Sequence, residues 1–389
     1  MNSLKKIFKI TAIISRILVG LVFIFSGFVK AVDPLGSTYK FIDYFHAFNM
    51  PWLEPAAFPL SIALSGLEFL IGVCFLLFIQ NKWATWGALL FMVFFTPLTL
   101  WLALNNPVHD CGCFGDAIIL TNWQTFYKNI FISALVIISF IYKNSLTGWL
   151  KLKTEWLITA IIAILVTSFS WYNYQHLPVL DFRPYKIGTH IPDKMIIPEG
   201  APANVYEQYF TLLDTLSGKQ ISIESKLYVS DSTYWGKSTT WKFISTTEPK
   251  LIKEGYQPPI RDFSIVSLSG VDITQPVLSD TGYYFVLVAY DLKKSKTKYQ
   301  SKINTLYNQA VADNHKFICL TSVTRNEIEQ FKTTNKATYD FYLTDPITLK
   351  TIIRANPGLV IIHGGTILAK WHSNDIPDYK KIKTKYLKK

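Results

Sequence analysis

Residues 109–115 read HDCGCFG. The chain of 389 residues has four cysteines, and two of them stand here one residue apart, behind a histidine and an aspartate and ahead of a phenylalanine-glycine pair. Three chemistries fit such a string. Cys111 and Cys113 could make and break a disulfide, His109, Asp110, Cys111 and Cys113 could offer ligands to zinc or copper, or the cysteines could pack in an ordinary turn. The metal reading is the weaker, because every donor comes from one short stretch and the paired spacings of metal sites are missing. Gly112 favours exchange, since glycine permits the positive-φ turn that brings two neighbouring Cβ atoms within bonding reach. A disulfide in so small a ring would be strained and comparatively oxidising. Phe114 and Gly115 read as packing and turn residues of the same loop.

What this loop can do depends on what holds it, and composition points to a membrane. Half the residues are hydrophobic and 17% are charged, against about 25% charged in soluble domains. The deficit lies before position 175, where uncharged runs alternate with short polar breaks. Runs at about 10–32, 57–79, 83–104, 124–142 and 155–174 each approach or exceed the roughly 20 residues a crossing helix needs. The first is too long, and lacks the small-residue site, to be a cleaved signal peptide. Lys5, Lys6, Lys9, Lys82, Lys143, Lys151 and Lys153 mark one set of connections. Asp33, Asp43, Glu54, Asp110 and Asp116, with Lys40 alone among the lysines, mark the other. By the excess of positive charge inside, the N-terminus is expected to be cytoplasmic, with the cysteine loop and everything after about 175 outside. On that side, in a bacterium, thiols can form lasting disulfides.

Three charges fall inside the expected spans: Arg16, Lys30 and Glu68. Lys30 is near enough to the outer interface to snorkel, and Arg16 can reach the inner interface or Glu68. Glu68 has no such escape, so it is expected to face the bundle interior, protonated or paired with Arg16. Gly66 and Gly72 around it suit close helix packing.

The first helix SRILVGLVFIFSGFVKAVDP, the SGLEFLIG of the second and the CGCFG before the fourth resemble the DoxX-like superfamily, and within it the methylamine-utilisation membrane protein (MauE) branch, over about residues 8–145. The resemblance implies a four-helix bundle of the bacterial inner membrane, associated with oxidoreductase systems or the maturation of disulfide-rich partners. Comparison with vitamin K epoxide reductase, another four-helix membrane thiol system, exposes a difference. Such an enzyme relays electrons from its outer cysteines through a second pair near a quinone, whereas this chain has only Cys74 within the membrane, roughly 25 Å from the loop.

The fifth span is expected to tether an outer region, with Trp156, Trp171, Tyr172 and Tyr174 placed as an interfacial belt. A proline-rich stretch from 177 reads as a stiff connector. Period-two patterns from about 204 read as a small antiparallel β meander. From about 258, a strand-helix-strand start followed by a hairpin entered through Pro357 resembles the thioredoxin fold, closest to the periplasmic thiol-disulfide and peroxiredoxin-like branch. Pro357 takes the place of that fold's cis-proline. Where the family carries Cys-x-x-Cys, this chain reads DLKKSKTKY, so the domain cannot do thioredoxin chemistry by itself. Cys319, in the apolar KFICL, reads as a buried small hydrophobe.

The expected fold class is therefore mixed: an α-helical membrane four-helix bundle (1–145), a fifth span and linker (146–180), a β-rich segment (181–257) and an α/β thioredoxin-like domain (258–389). The net charge of +12, with its basic tail DYKKIKTKYLKK, carries no nucleic-acid motif and reads as a solvated or lipid-facing surface. No cofactor or metal is called for. Two functions remain: a thiol-disulfide exchange component acting on an extracytoplasmic thiol-containing or redox protein, or a non-enzymatic envelope scaffold with structural cysteines. Substrate, electron partner, attacking cysteine and oligomeric state are not encoded in any motif.

Overall fold

The computed structural model describes residues 2–108, 110–144 and 148–387, with side chains from Lys6 onward. Helix α1 (Asn2–Val32) is followed without a loop by α2 (Pro34–Ala47), then α3 (Glu54–Leu77), α4 (Asn81–Asn105), α5 (Asn122–Ile141) and α6 (Leu152–Gln175). Among the described residues, five helices are long and apolar enough to cross a membrane, all of these except α2. Prolines 59 and 97 lie inside α3 and α4, a position that membrane helices tolerate because neighbouring groups satisfy the freed carbonyls.

The pairing of α1 with α3 is set by glycine. A Cβ on Gly27 would lie 2.5 Å from the backbone nitrogen of Phe69, and one on Gly72 would lie 2.6 Å from that of Ile24. Gly20 faces Leu76 and Gly72 in the same way. The two backbones therefore run antiparallel in contact, the close approach that small residues permit in lipid. Gly66 differs, since a Cβ there would have room, 3.8 Å from Val166 of α6. Val19, Phe23, Ile71, Phe75, Ile79 and Cys74 fill the core of the bundle.

This register decides the buried charges. Glu68 lies opposite the C-terminal part of α1, and Lys30 turns inward to it, Nζ 2.7 Å from Oε2, while also donating to Ser26 Oγ. The expected pairing of Glu68 with Arg16 is not formed, nor does Lys30 snorkel outward. Arg16 sits at the opposite end of the crossing, four helical turns from Lys30. There it is fully buried, donating to the carbonyls of Cys74 and Phe75 at the C-terminal end of α3 and lying over the rings of Phe75 and Phe78. A cation at a helix C-terminus meets the negative end of its dipole.

The chain divides into two compact units, His190–Asp262 and the remainder. The smaller begins with α7 (Ile191–Met195) and contains the antiparallel pair β1 (Val205–Glu207) with β5 (Lys250–Lys253). Its second sheet holds β2 (Tyr209–Asp214), β3 (Gln220–Glu224) and β4 (Trp241–Thr246) in the order β3-β2-β4, so β4 returns to the free edge of the central strand. The Ser225–Ser230 stretch forms the short helix α8 where period-two alternation predicts strand.

In the larger unit, a six-stranded sheet begins with β6 (Val266–Ser267), which α9 (Thr274–Ser279) follows. The elements that follow are β7 (Tyr283–Val288), α10 (Gln300–Ala312), β8 (Lys316–Thr321), α11 (Arg325–Asn335), β9 (Asp340–Leu343), α12 (Pro346–Ile352), β10 (Gly358–His363), β11 (Thr366–His372) and α13 (Tyr379–Tyr386). The order is β11-β10-β7-β8-β9-β6. Strands β7, β8 and β9 are parallel and the β10–β11 hairpin is antiparallel to β7. The Asn356–Pro357 bond that leads into β10 is cis. This is a thioredoxin-like arrangement, closed over a core of Phe285, Leu287, Ile303, Leu306, Phe317 and Ile361. Cys319 is wholly buried in that core, which pushes its thiol well above the usual range. The connector before this domain is more than a spacer. Gly188 donates to the Ile367 carbonyl, Ile367 donates back to Thr189, and Asp181 accepts from Arg183 and Lys370.

Candidate functional site

The cysteine loop is held from both ends. Asn106 closes α4 in the left-handed conformation, and Asn122 at the start of α5 donates to the Asn106 side chain and the Val108 carbonyl. Thr121 and Gln124 form a capping box that fixes where α5 begins, satisfying two of its unpaired amides. Between these anchors the loop folds back on itself, with Gly115 donating to Gly112 and Ala117 to Phe114. Gly112 has φ +67°, and a Cβ there would lie 3.0 Å from Lys40 Cγ. Both the turn and the close approach require glycine.

This turn brings the Cys111 and Cys113 sulfurs 2.7 Å apart. The two differ in surroundings: Cys111 is buried and Cys113 half-buried. Asp110 turns away from the sulfurs, accepting from the Gly112 amide and from Lys40 Nζ of α2 at 2.8 Å. Tyr44 donates to the Cys111 carbonyl and Ser26 to the Cys113 carbonyl, so α2 and α1 each hold one cysteine by its backbone. Phe114 packs edge-on to Phe25 with Lys128 of α5 over its ring. His109 lies outside the described residues. Among the described residues, no three His, Cys, Asp or Glu side chains gather as a metal site would need.

Electrostatics separate the pair. The hydrogen bond from the Cys111 thiol draws the Cys113 thiol down to about 6, with Lys128 and Lys30 pulling the same way against burial. The same bond holds the Cys111 proton in place and, with burial, pushes that thiol up. The shifts favour the thiolate on Cys113 and the proton on Cys111. Thiolate is the reactive form in exchange.

Lys40, Tyr44, Ser26 and Lys128 carry no motif, and sequence reasoning does not single them out as site residues. The only signal is that Lys40 is the lone lysine among the acidic outer connections. Arg354 has no signal at all. It is buried, reaches Asp33 with Nε and Nη2, and reaches Asp116 of the cysteine loop with Nη2 at 3.1 Å. Asp33 also caps α2 through the Gly36 amide. Beside it the Tyr39 and Tyr290 hydroxyls meet at 3.2 Å. Arg354 lies three residues before Pro357, and Tyr290 directly follows β7 and its short extension, where the thioredoxin family places its cysteines. The face of the thioredoxin-like domain that does chemistry in that fold is therefore packed on α2 and the cysteine loop.

Solved structures with the outer domain's fold include a thiol:disulfide interchange protein from Bacteroides sp., 15% identical, covering 31% of this chain and 84% of that one at a TM-score of 0.26. The thioredoxin domain of a thiol-disulfide oxidoreductase from Bacteroides vulgatus is 16% identical, over 31% and 91%, at 0.26. StoA from Bacillus subtilis is 17% identical, over 31% and 93%, at 0.25. At these values the fold rests on the strand order given above. No curated protein matches the chain. Residues 8–142, which build the helices around Cys111 and Cys113, match the family model described as methylamine utilisation protein MauE, so the helical region is similar to that family and is followed by a thioredoxin-like domain.

Proposed function

We propose that this chain is a membrane thiol-disulfide exchange protein that oxidises an extracytoplasmic partner through Cys111 and Cys113. The observation that carries the reading is the asymmetric pair, a half-buried Cys113 beside a buried Cys111 on the Gly112 turn, with the sulfurs 2.7 Å apart. In the oxidised form, a partner thiolate attacks the accessible Cys113 sulfur and Cys111 leaves, taking up a proton. The partner's second thiol then attacks the mixed disulfide and expels Cys113, a good leaving group because its thiolate is stabilised. Two partner thiols become a disulfide and the pair becomes a dithiol.

The outer domain has no cysteine where its fold carries the reactive pair, and it contributes by holding the loop and binding the partner. This reading sets the protein in a bacterial inner membrane with its N-terminus cytoplasmic and its outer domain periplasmic. It keeps the division into a bundle to about 145, a tethering span to about 180, and β-rich and thioredoxin-like parts beyond.

The test is thiol trapping in intact cells in a Cys74→Ala, Cys319→Ala background, with a membrane-impermeant maleimide before and after reductant. Cys111 and Cys113 are expected to be protected until reduced, and Cys111→Ser is expected to capture a partner on Cys113. Free labelling of both under every condition, with nothing captured, would make the protein a scaffold with structural cysteines.

A further inference from the structure

The cysteine pair roofs a cavity of about 580 Å³ enclosed by α1, α2, α3, α4 and α5. Its walls are aromatic, with Phe23, Phe91, Phe95 and Trp101 prominent, and they extend to Phe94 and Phe48, which are exposed on the outside of the bundle. The cavity thus opens sideways between the C-terminal end of α2 and the apolar face of the candidate span α4, beside the exposed Phe48 and Phe94. At the end beneath the loop the lining turns polar, with Lys128, Asn129 and the Lys30–Glu68 ion pair beside the two sulfurs. An apolar void of this size costs stability if nothing fills it, and it falls within the roughly 300–1,000 Å³ range of small-molecule sites.

The chemistry of the two ends defines the occupant. It must enter from lipid, present a flat apolar body to aromatic rings, and offer acceptor oxygens to ammonium and amide donors within reach of the thiols. An acyl chain has nothing for the polar end, and a water-soluble disulfide has nothing for the walls. A lipid-soluble quinone satisfies both. Exchange also leaves the pair reduced, and no second cysteine pair stands in the membrane to carry its electrons away. Cys74, the remaining membrane cysteine, lies in the apolar core on the far side of the α1–α3 crossing.

We infer that the cavity beneath Cys111 and Cys113 binds a membrane quinone that reoxidises the pair directly, without a relay. The inference rests on the exchange function proposed above. The step balances: the S–S bond forms, both S–H bonds break, and two electrons and two protons pass to the quinone oxygens, giving a hydroquinone. Lys128 stabilises negative charge on the oxygens as it develops, while Lys30 is already paired with Glu68. A two-electron acceptor in contact with both sulfurs makes a second cysteine pair unnecessary.

The experiment uses the purified full chain in detergent, in the Cys74→Ala, Cys319→Ala background, reduced, desalted and kept anaerobic. A fully substituted short-chain ubiquinone analogue is added, whose ring has no free position for thiols to add to. Expected are one hydroquinone formed per chain, loss of two thiols, and quenching of Trp101 fluorescence that saturates. Leu98→Trp, which fills the cavity from α4, is expected to slow quinone reduction by at least about tenfold while eluting as its parent does on gel filtration. If Leu98→Trp does not fold, saturable quenching in the parent decides. The inference falls if the quinone is not reduced, if no saturable quenching is seen, or if a folded Leu98→Trp reacts at the parental rate. Oxidation of the pair by dithiodipyridine, together with capture of a partner in cells, would then leave the exchange function standing. Failure of those as well would remove both.

Discussion

The division of labour between the two sulfurs can be tested by removing one. In Cys111→Ala, Cys113 loses the hydrogen bond that is the largest cause of its lowered value of about 6, and its titration is expected to rise towards the ordinary 9. At pH 7 the thiolate fraction falls from about 0.9 to about 0.01, roughly ninetyfold. Intrinsic nucleophilicity rises with basicity, with a Brønsted coefficient of about 0.4–0.5, which returns about 15–30-fold over three units. The net loss in alkylation rate at pH 7 is therefore only about three- to sixfold, and the midpoint of the pH profile is the better measure. The assay is iodoacetamide alkylation of the reduced protein from pH 4 to 10, in the Cys74→Ala, Cys319→Ala background, with Cys113 modification quantified by mass spectrometry. With Cys111 present, the rate should climb through about pH 6 and level off, because the thiol is protonated below that value. A midpoint near 9 with Cys111 in place, or one that stays near 6 in Cys111→Ala, refutes the reasoning.

Three further outcomes are expected. Gly112→Val forces a β-branched side chain into φ +67° and against Lys40, a strain of about 1–2 kcal/mol from the backbone alone, and the pair should no longer close on treatment with diamide. Glu68→Gln leaves Lys30 buried without its carboxylate, so thermal unfolding in detergent should show a loss of roughly 3–5 kcal/mol, largely recovered in Lys30→Met, Glu68→Leu. His372 is buried and neutral, and burial first, then Lys296, holds it near 3 against an ordinary 6.5. As pH falls below 6.5 the unfolded chain takes up a proton that the folded one refuses, so the outer domain should lose stability progressively from about pH 6.5 towards 3. Hydrogen exchange of β10 and β11 should report that slope, and His372→Asn should flatten it.

Much of this molecule is legible in one dimension. The five apolar runs, the thioredoxin-like order of strands and helices, and Cys-Gly-Cys with its turn residues all depend on local patterning, which survives in a linear reading. What is not legible depends on register between distant elements. Glu68 pairs with Lys30 because Gly20, Gly27 and Gly72 let two backbones slide together in one alignment, and polarity alone leaves Arg16 an equal candidate. The cavity is assembled from separate helices, none of which announces a binding site. Arg354 meets Asp33 across a separation of 321 residues, and no periodicity links them.

That arginine changes how the lost Cys-x-x-Cys is understood. A thioredoxin face that still exchanged electrons would have to release whatever it touched. Here the same face is clamped by one guanidinium to the root of α2 through Asp33 and to the cysteine loop through Asp116. On the function proposed above, a shift of the loop on changing oxidation state would reach the sheet through this one side chain, and a partner bound to the sheet would reach the loop by the same route.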